Sequence, residues 1–75
     1  MVIDNLKNIM SKITGINKDD INEETNFQDL GMDSLEIFEM IVDVEDKFDI
    51  EIPNEDVEKF ACVGDVLKYI HERIK

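Results

Sequence analysis

Residues 29–48 read DLGMDSLEIFEMIVDVEDKF, and the fold turns on whether this acidic run is a helix and which side of it is hidden. At about 100° per residue, Ile37, Met40, Ile41, Val44 and Phe48 gather on one side, with Phe38 at the margin. That stripe predicts a helix over 34–48 with its apolar side in a core. Asp33 stands where the helix needs a cap, and Glu36 follows at the capping-box spacing. The opposite side collects Glu36, Glu39, Asp43 and Asp46, with Leu35 and Val42 set among them. Single exposed aliphatics are common and charge runs are usually just solvated. The same pattern also suits a partner whose pocket is rimmed by Arg and Lys.

The charge distribution favours the partner. Nineteen acids against eight bases give a net charge of −11, which argues against nucleic acid and against anionic membrane surfaces. Residues 33–58 hold eleven of those acids and one base, Lys47, so a net −10 lies in about a third of the chain. Solubility alone does not require such concentration; a docking face does.

Outward from this helix, Ile3, Leu6, Met10 and Ile13, with Ile9 beside them, predict a first helix over 2–14 that ends at Thr14-Gly15. Residues 15–33 form a long loop, expected to be pinned at Ile16, Ile21, Phe27 and Leu30, with a short turn near 19–22. DIEIP runs extended into Pro53. Asn54 is expected to cap a short helix over about 54–60, and Val66, Leu67, Ile70 and Ile74 mark a last helix over about 64–73. The expectation is an all-α single domain over 1–75: a small four-helix bundle with three longer helices, one short helix and a long first loop.

A chain of 75 residues buries only about 60% of its unfolded surface, so the core must be small. One cysteine, Cys62, excludes an intramolecular disulfide. The start MVIDNLKNIM lacks the basic flank and unbroken apolar run of a signal peptide, and no stretch reaches the length of a membrane span, so a cytoplasmic place and no membrane insertion are expected.

Ser34 is the chemically distinctive residue. With Asp33 as the cap, its hydroxyl is expected at the first helical position and exposed, where free backbone N–H groups and the positive helix end would favour a phosphoester. As a nucleophile of its own it is poorly served, because the single histidine, His71, lies on the last helix and acids surround the serine. A hydrolase triad is not supported, and no catalytic residue is assigned.

DLGMDSLEIFEMIVDVEDKFDIEIPNEDVEKF resembles an acyl carrier protein of the free-standing type that serves fatty-acid synthesis. The resemblance spans essentially the whole chain: the first helix, the loop ending FQDLGMDSL, the acidic second helix, FDIEIP and the closing VGDVLKYI. It rests on Asp33-Ser34-Leu35 behind Leu30-Gly31, with EDKFDIEIP at the right distance downstream. It implies that a phosphopantetheinyl transferase uses coenzyme A to attach 4′-phosphopantetheine to Ser34. The thiol of that arm would carry acyl groups as thioesters to acyl-transferring and synthase enzymes with basic patches, while the protein itself makes no bonds. Asp33, Leu35, Glu36, Glu39, Val42, Glu45 and Asp46, with Ile52 and Glu58 near the third helix, match the family's docking positions. The wheel places Glu45 only at the edge of the outer face. The apolar interior between the helices would shelter the chain.

Met32 departs from the small residue commoner in the family, Asp43 from alanine and Asn54 from a frequent acid. A discrete carrier for polyketide or another specialised acyl pathway remains an alternative, and a peptidyl or D-alanyl carrier fits less well. An unmodified acidic helical adaptor is the alternative of another class. A monomer is expected.

The acid density invites a calcium loop, but the spacing fails. From Asp29, Ser34 falls where glycine is needed and Met40 where a bidentate Glu is needed; from Asp43, Lys47 falls at a ligand position. No specific metal site is assigned. Cys62 reads as a small hydrophobe, His71 as a surface residue and Tyr69 as core or boundary.

Overall fold

The computed structural model describes residues 2–74. Helices α1 (Val2–Thr14), α2 (Ser34–Phe48), α3 (Asn54–Val57) and α4 (Val63–Arg73) follow in chain order, with one 3-10 turn at Lys18–Asp20. Among the described residues there is no strand, only an isolated antiparallel bridge between Asn26 and Cys62. No helix among them is long and apolar enough to cross a membrane.

Helix α1 packs on α2 and α4, and the seam is filled by aliphatic side chains. Leu6 and Met10 meet Met40, Ile41 and Val44 of α2 and Val63, Val66, Leu67 and Ile70 of α4 in one buried cluster. Ile3, Ile9 and Ile13 are half-buried around it, as the periodicity of α1 predicts. No polar or charged side chain is buried among the described residues.

Local chemistry fixes the helix ends. Thr14 donates its hydroxyl to the Met10 carbonyl at 2.8 Å, and Gly15 leaves α1 with a φ of 76°. At the start of α2, Asp33 Oδ1 accepts the Glu36 N–H at 2.9 Å and Glu36 Oε1 accepts the Asp33 N–H at 3.4 Å, the reciprocal cap expected from sequence. Helix α2 closes on Asp49 in the left-handed region, at φ 55° and ψ 50°.

The long loop is held as expected at Ile21 and Phe27, both buried, and at Ile16 and Leu30, both half-buried. A fifth anchor, Met32, is also buried. Backbone bonds sew this loop to the α3–α4 connection: Phe27 N–H donates to the Ala61 carbonyl at 3.1 Å and Val63 N–H to that of Thr25 at 3.0 Å. Those bonds account for the bridge and explain how a loop this long remains ordered.

Two expectations about α3 need correction. It is one turn, Asn54–Val57, rather than a helix reaching residue 60. Asn54 is not its cap: Pro53, extended at φ −61° and ψ 147°, occupies that place, and its carbonyl accepts the N–H groups of Asp56 at 2.9 Å and Val57 at 3.1 Å. The fixed φ of proline lets the extended segment turn directly into helix, so Asn54 is already helical.

Asp65 caps the start of α4, accepting the N–H groups of Ala61 at 2.8 Å and Cys62 at 3.3 Å. The Ala61 bond is the main cause that holds the Asp65 carboxyl below its ordinary value. A lowered folded value means that the stabilisation is present above the ordinary value of about 3.8 and disappears as pH falls through the folded one. Wild type should therefore be more stable than Asp65→Asn at neutral pH, and urea titrations should show the gap closing on acidification below that value. At the other cap, Asp33→Ala should lose about 1 kcal/mol, a fall in Tm of about 4–8 °C, while Asp33→Ser should recover most of it.

Candidate functional site

Ser34 opens α2 and is exposed. The capping hydrogen bonds run between Asp33 and Glu36 and leave its hydroxyl out. Gly31, at φ 72°, sets the turn that brings the chain from Met32 in the core to Asp33 at the surface. The serine thus sits at the positive end of a 15-residue helix, beside backbone N–H groups that have no helical partner.

Beside the serine lies a cleft of about 440 Å³ between α2 and α3, with Ile37, Phe38, Val57 and Phe60 as its apolar wall and Ser34, Asn54 and Glu58 as its polar side. Glu58 is the one ionisable residue in its wall; no imidazole or amine stands there to draw the serine proton. The geometry offers an accessible oxygen next to apolar shelter, without a base to make that oxygen attack anything unaided.

Leu35, Glu39, Val42 and Asp46 follow one another at helical spacing down the exposed side of α2, with Asp43 also exposed beside them. Leu35 is 66% exposed and Val42 44%, so the two aliphatics stand in solvent among carboxylates, as the wheel predicts. Phe38, expected at the core margin, is 53% exposed and extends this apolar surface toward the cleft. Asp33 and Glu58 are exposed near the serine end, Asp33 as the cap and Glu58 in the cleft wall.

Three residues differ from the simple picture. Glu36 is half-buried because its carboxylate turns back onto the cap. Glu45 is half-buried, and its Oε2 accepts the Ile52 N–H at 2.9 Å, which fastens the connection after α2 to the helix. Ile52 itself is only 6% exposed. Its expected place on a docking surface is therefore corrected: the Glu45 bond turns its backbone toward α2 and its side chain joins the core. Among the described residues no three acids, His or Cys gather closely enough to hold a metal ion.

Sequence reasoning did not single out Asn54, Val57 or Phe60 as site residues. They become neighbours of Ser34 only because the connection through Pro53 folds α3 back across the start of α2. The apolar characters of Val57 and Phe60 were visible, but nothing local tells a cleft wall from a core position.

Comparison with known proteins agrees with this geometry. A family model described as the phosphopantetheine attachment site matches residues 4–70. The acyl carrier protein of Wolinella succinogenes is 43% identical over 70 residues, covering 92% of both chains. That of Clostridium perfringens is 46% identical over 72 residues, covering 95% of both. The solved structure of the acyl carrier protein from Enterococcus faecalis superposes with a TM-score of 0.81 at 33% identity, covering 95% of this chain and 91% of that one. The exposed hydroxyl at a helix start, outside the hydrogen-bonded cap, fits a group joined through a phosphoester. This chain belongs to the acyl carrier protein family and has a covalently attached phosphopantetheine as its prosthetic group.

Proposed function

We propose that Ser34 is the attachment point and that the protein carries acyl intermediates of fatty-acid synthesis. The observation that carries this reading is the position of Ser34, exposed at the start of α2, outside the Asp33–Glu36 cap and on the rim of the apolar cleft. A phosphopantetheinyl transferase joins the Ser34 oxygen to the phosphorus bearing the pantetheine of coenzyme A. The pyrophosphate bond breaks, adenosine 3′,5′-bisphosphate leaves, and the serine proton passes to a base of the transferase. The arm supplies a thiol that holds acyl groups as thioesters.

The chain's own residues do the rest without making or breaking bonds. Asp33 and Glu36 fix the first turn, so Ser34 is presented in one place. The free N–H groups of that turn offset part of the repulsion between a phosphodiester and the neighbouring acids. Ile37, Phe38, Val57 and Phe60 give an acyl chain an apolar surface.

Docking uses the exposed side of α2, with Leu35 and Val42 as anchors, Glu39 and Asp46 as their acidic rim, and Asp33 and Glu58 at the serine end. Partners are the transferase and successive acyl-transferring and synthase enzymes that present Arg and Lys. Charge of one sign speeds encounter and lets the partners leave again, as a carrier serving several enzymes requires. We place the protein in the cytoplasm as a monomer. A polyketide or other specialised pathway would use the same serine and the same face.

Mass spectrometry after incubation with coenzyme A and a broad-specificity transferase should show one added phosphopantetheine on wild type and none on Ser34→Ala. An unmodified Ser34 in wild type would refute the attachment. Separately, Glu39→Lys or Asp46→Lys should slow association with a fatty-acid synthase partner by on the order of tenfold at low salt. Added salt should slow wild type toward the same rate. Stopped-flow rates that ignore both charge reversal and salt would remove the electrostatic face.

A further inference from the structure

A second cleft, of about 330 Å³, adjoins the first and is lined by Asn26, Phe27, Gln28, Met32, Ile37, Phe60 and Ala61. Only Ile37 and Phe60 belong to both linings, so these two side chains form the partition between the clefts. They differ in how firmly they are held. Ile37 is on the second turn of a 15-residue helix, whereas Phe60 follows a single helical turn in the connection to α4. Phe60 is therefore the half of the partition with less regular backbone to hold it.

What holds Phe60 is Tyr69. The two rings meet edge to face, with centroids 5.4 Å apart and planes at 77°. Tyr69 is itself fixed from three sides. Its hydroxyl donates to Asp56 Oδ2 at 2.8 Å, it accepts from Arg73 Nη2 at 2.9 Å, and the Arg73 guanidinium lies 4.3 Å from the ring centroid. The Tyr69 hydroxyl is a donor at neutral pH, and burial first, then the Asp56 contact, push its pKa above the ordinary tyrosine value. Asp56 belongs to α3 and Arg73 to α4, so the ring couples both walls of the connection in which Phe60 sits.

We propose that Phe60, positioned by Tyr69, is the wall that sets how long an acyl chain this carrier can shelter. This rests on attachment at Ser34, since the serine on the rim of the first cleft makes that cleft the one a tethered chain enters first. A chain longer than the first cleft meets Phe60. Sheltering more of it requires the ring to leave Tyr69 and open the way to Phe27 and Met32 in the second cleft. Short chains thus enter freely, and longer ones must break the aromatic contact or leave their ends in water.

The test uses the full chain, loaded at Ser34 with saturated acyl groups in a series from butyryl to palmitoyl. Two quantities are read: the rise in Tm over each protein's own thiol form, and the slowing of thioester cleavage by hydroxylamine. In wild type both should grow with chain length up to a break and then flatten. Phe60→Ala should move the break to longer acyl groups. Tyr69→Phe, which keeps the ring and the Arg73 guanidinium over it but loses the hydroxyl's hydrogen bonds to Asp56 and Arg73, should move it the same way by less. Each variant is referred to its own thiol form, so a lower starting stability does not obscure the break. Should Phe60→Ala fail to fold, Tyr69→Phe decides the matter. Loaded proteins that all break at the wild-type length would overturn the wall alone, and failure of Ser34 to accept the arm would overturn the attachment with it.

Discussion

Carboxylates that repel one another surround this bundle, and burial of aliphatic side chains between α1, α2 and α4 is what opposes them. Every buried side chain described is apolar, and among the described residues a single ion pair, Lys59 with Asp56 at 3.8 Å, offers direct compensation. That pair is exposed on the lysine side and contributes little. The stability of the fold is therefore set by how well Leu6, Met10, Met40, Ile41, Val44 and Ile70 exclude water. Methionine at two of these places suits a core that must fill irregular space.

The same constraint shapes the functional side. Acids cannot enter the core without partners, so a helix that carries so many of them has to show them, and α2 shows them along one side with two aliphatics between. Two acids are spent locally instead. Glu36 completes the cap and Glu45 fastens the connection to Ile52. A charge-rich helix thus supplies both its own supports and a surface of one sign, at no loss to either, because the supports sit at the start and at the inner edge.

Clefts rather than cavities result from the brevity of α3. One turn cannot cover the side of α2, so Ile37 and Phe38 keep space before them, and the connection to α4 fills only part of it with Phe60. The aromatic pair with Tyr69 and the hydrogen bonds to Asp56 and Arg73 then give order to a corner with little helix of its own. Open space beside the serine and close packing among α1, α2 and α4 follow from one division of the chain into long and short elements.

The bounds of α1, α2 and α4, the Asp33–Glu36 cap, the end at Gly15 and the buried stripes of those three helices were all decided by residues a few positions apart, through helical periodicity and backbone hydrogen bonding. For that reason sequence alone determined them. The motif around Ser34 and the acidic side of α2 were legible on the same grounds. Where distant segments meet was not. Met32 and Ile52 are core, Phe38 is exposed, Pro53 rather than Asn54 precedes α3, and Phe60 reaches Tyr69 and the serine cleft. Apart from Pro53, whose fixed φ acts locally, each of these depends on the angle at which a loop returns across a helix, and that angle is fixed by packing and by bonds such as Glu45 to Ile52 and Phe27 to Ala61, which no local pattern encodes.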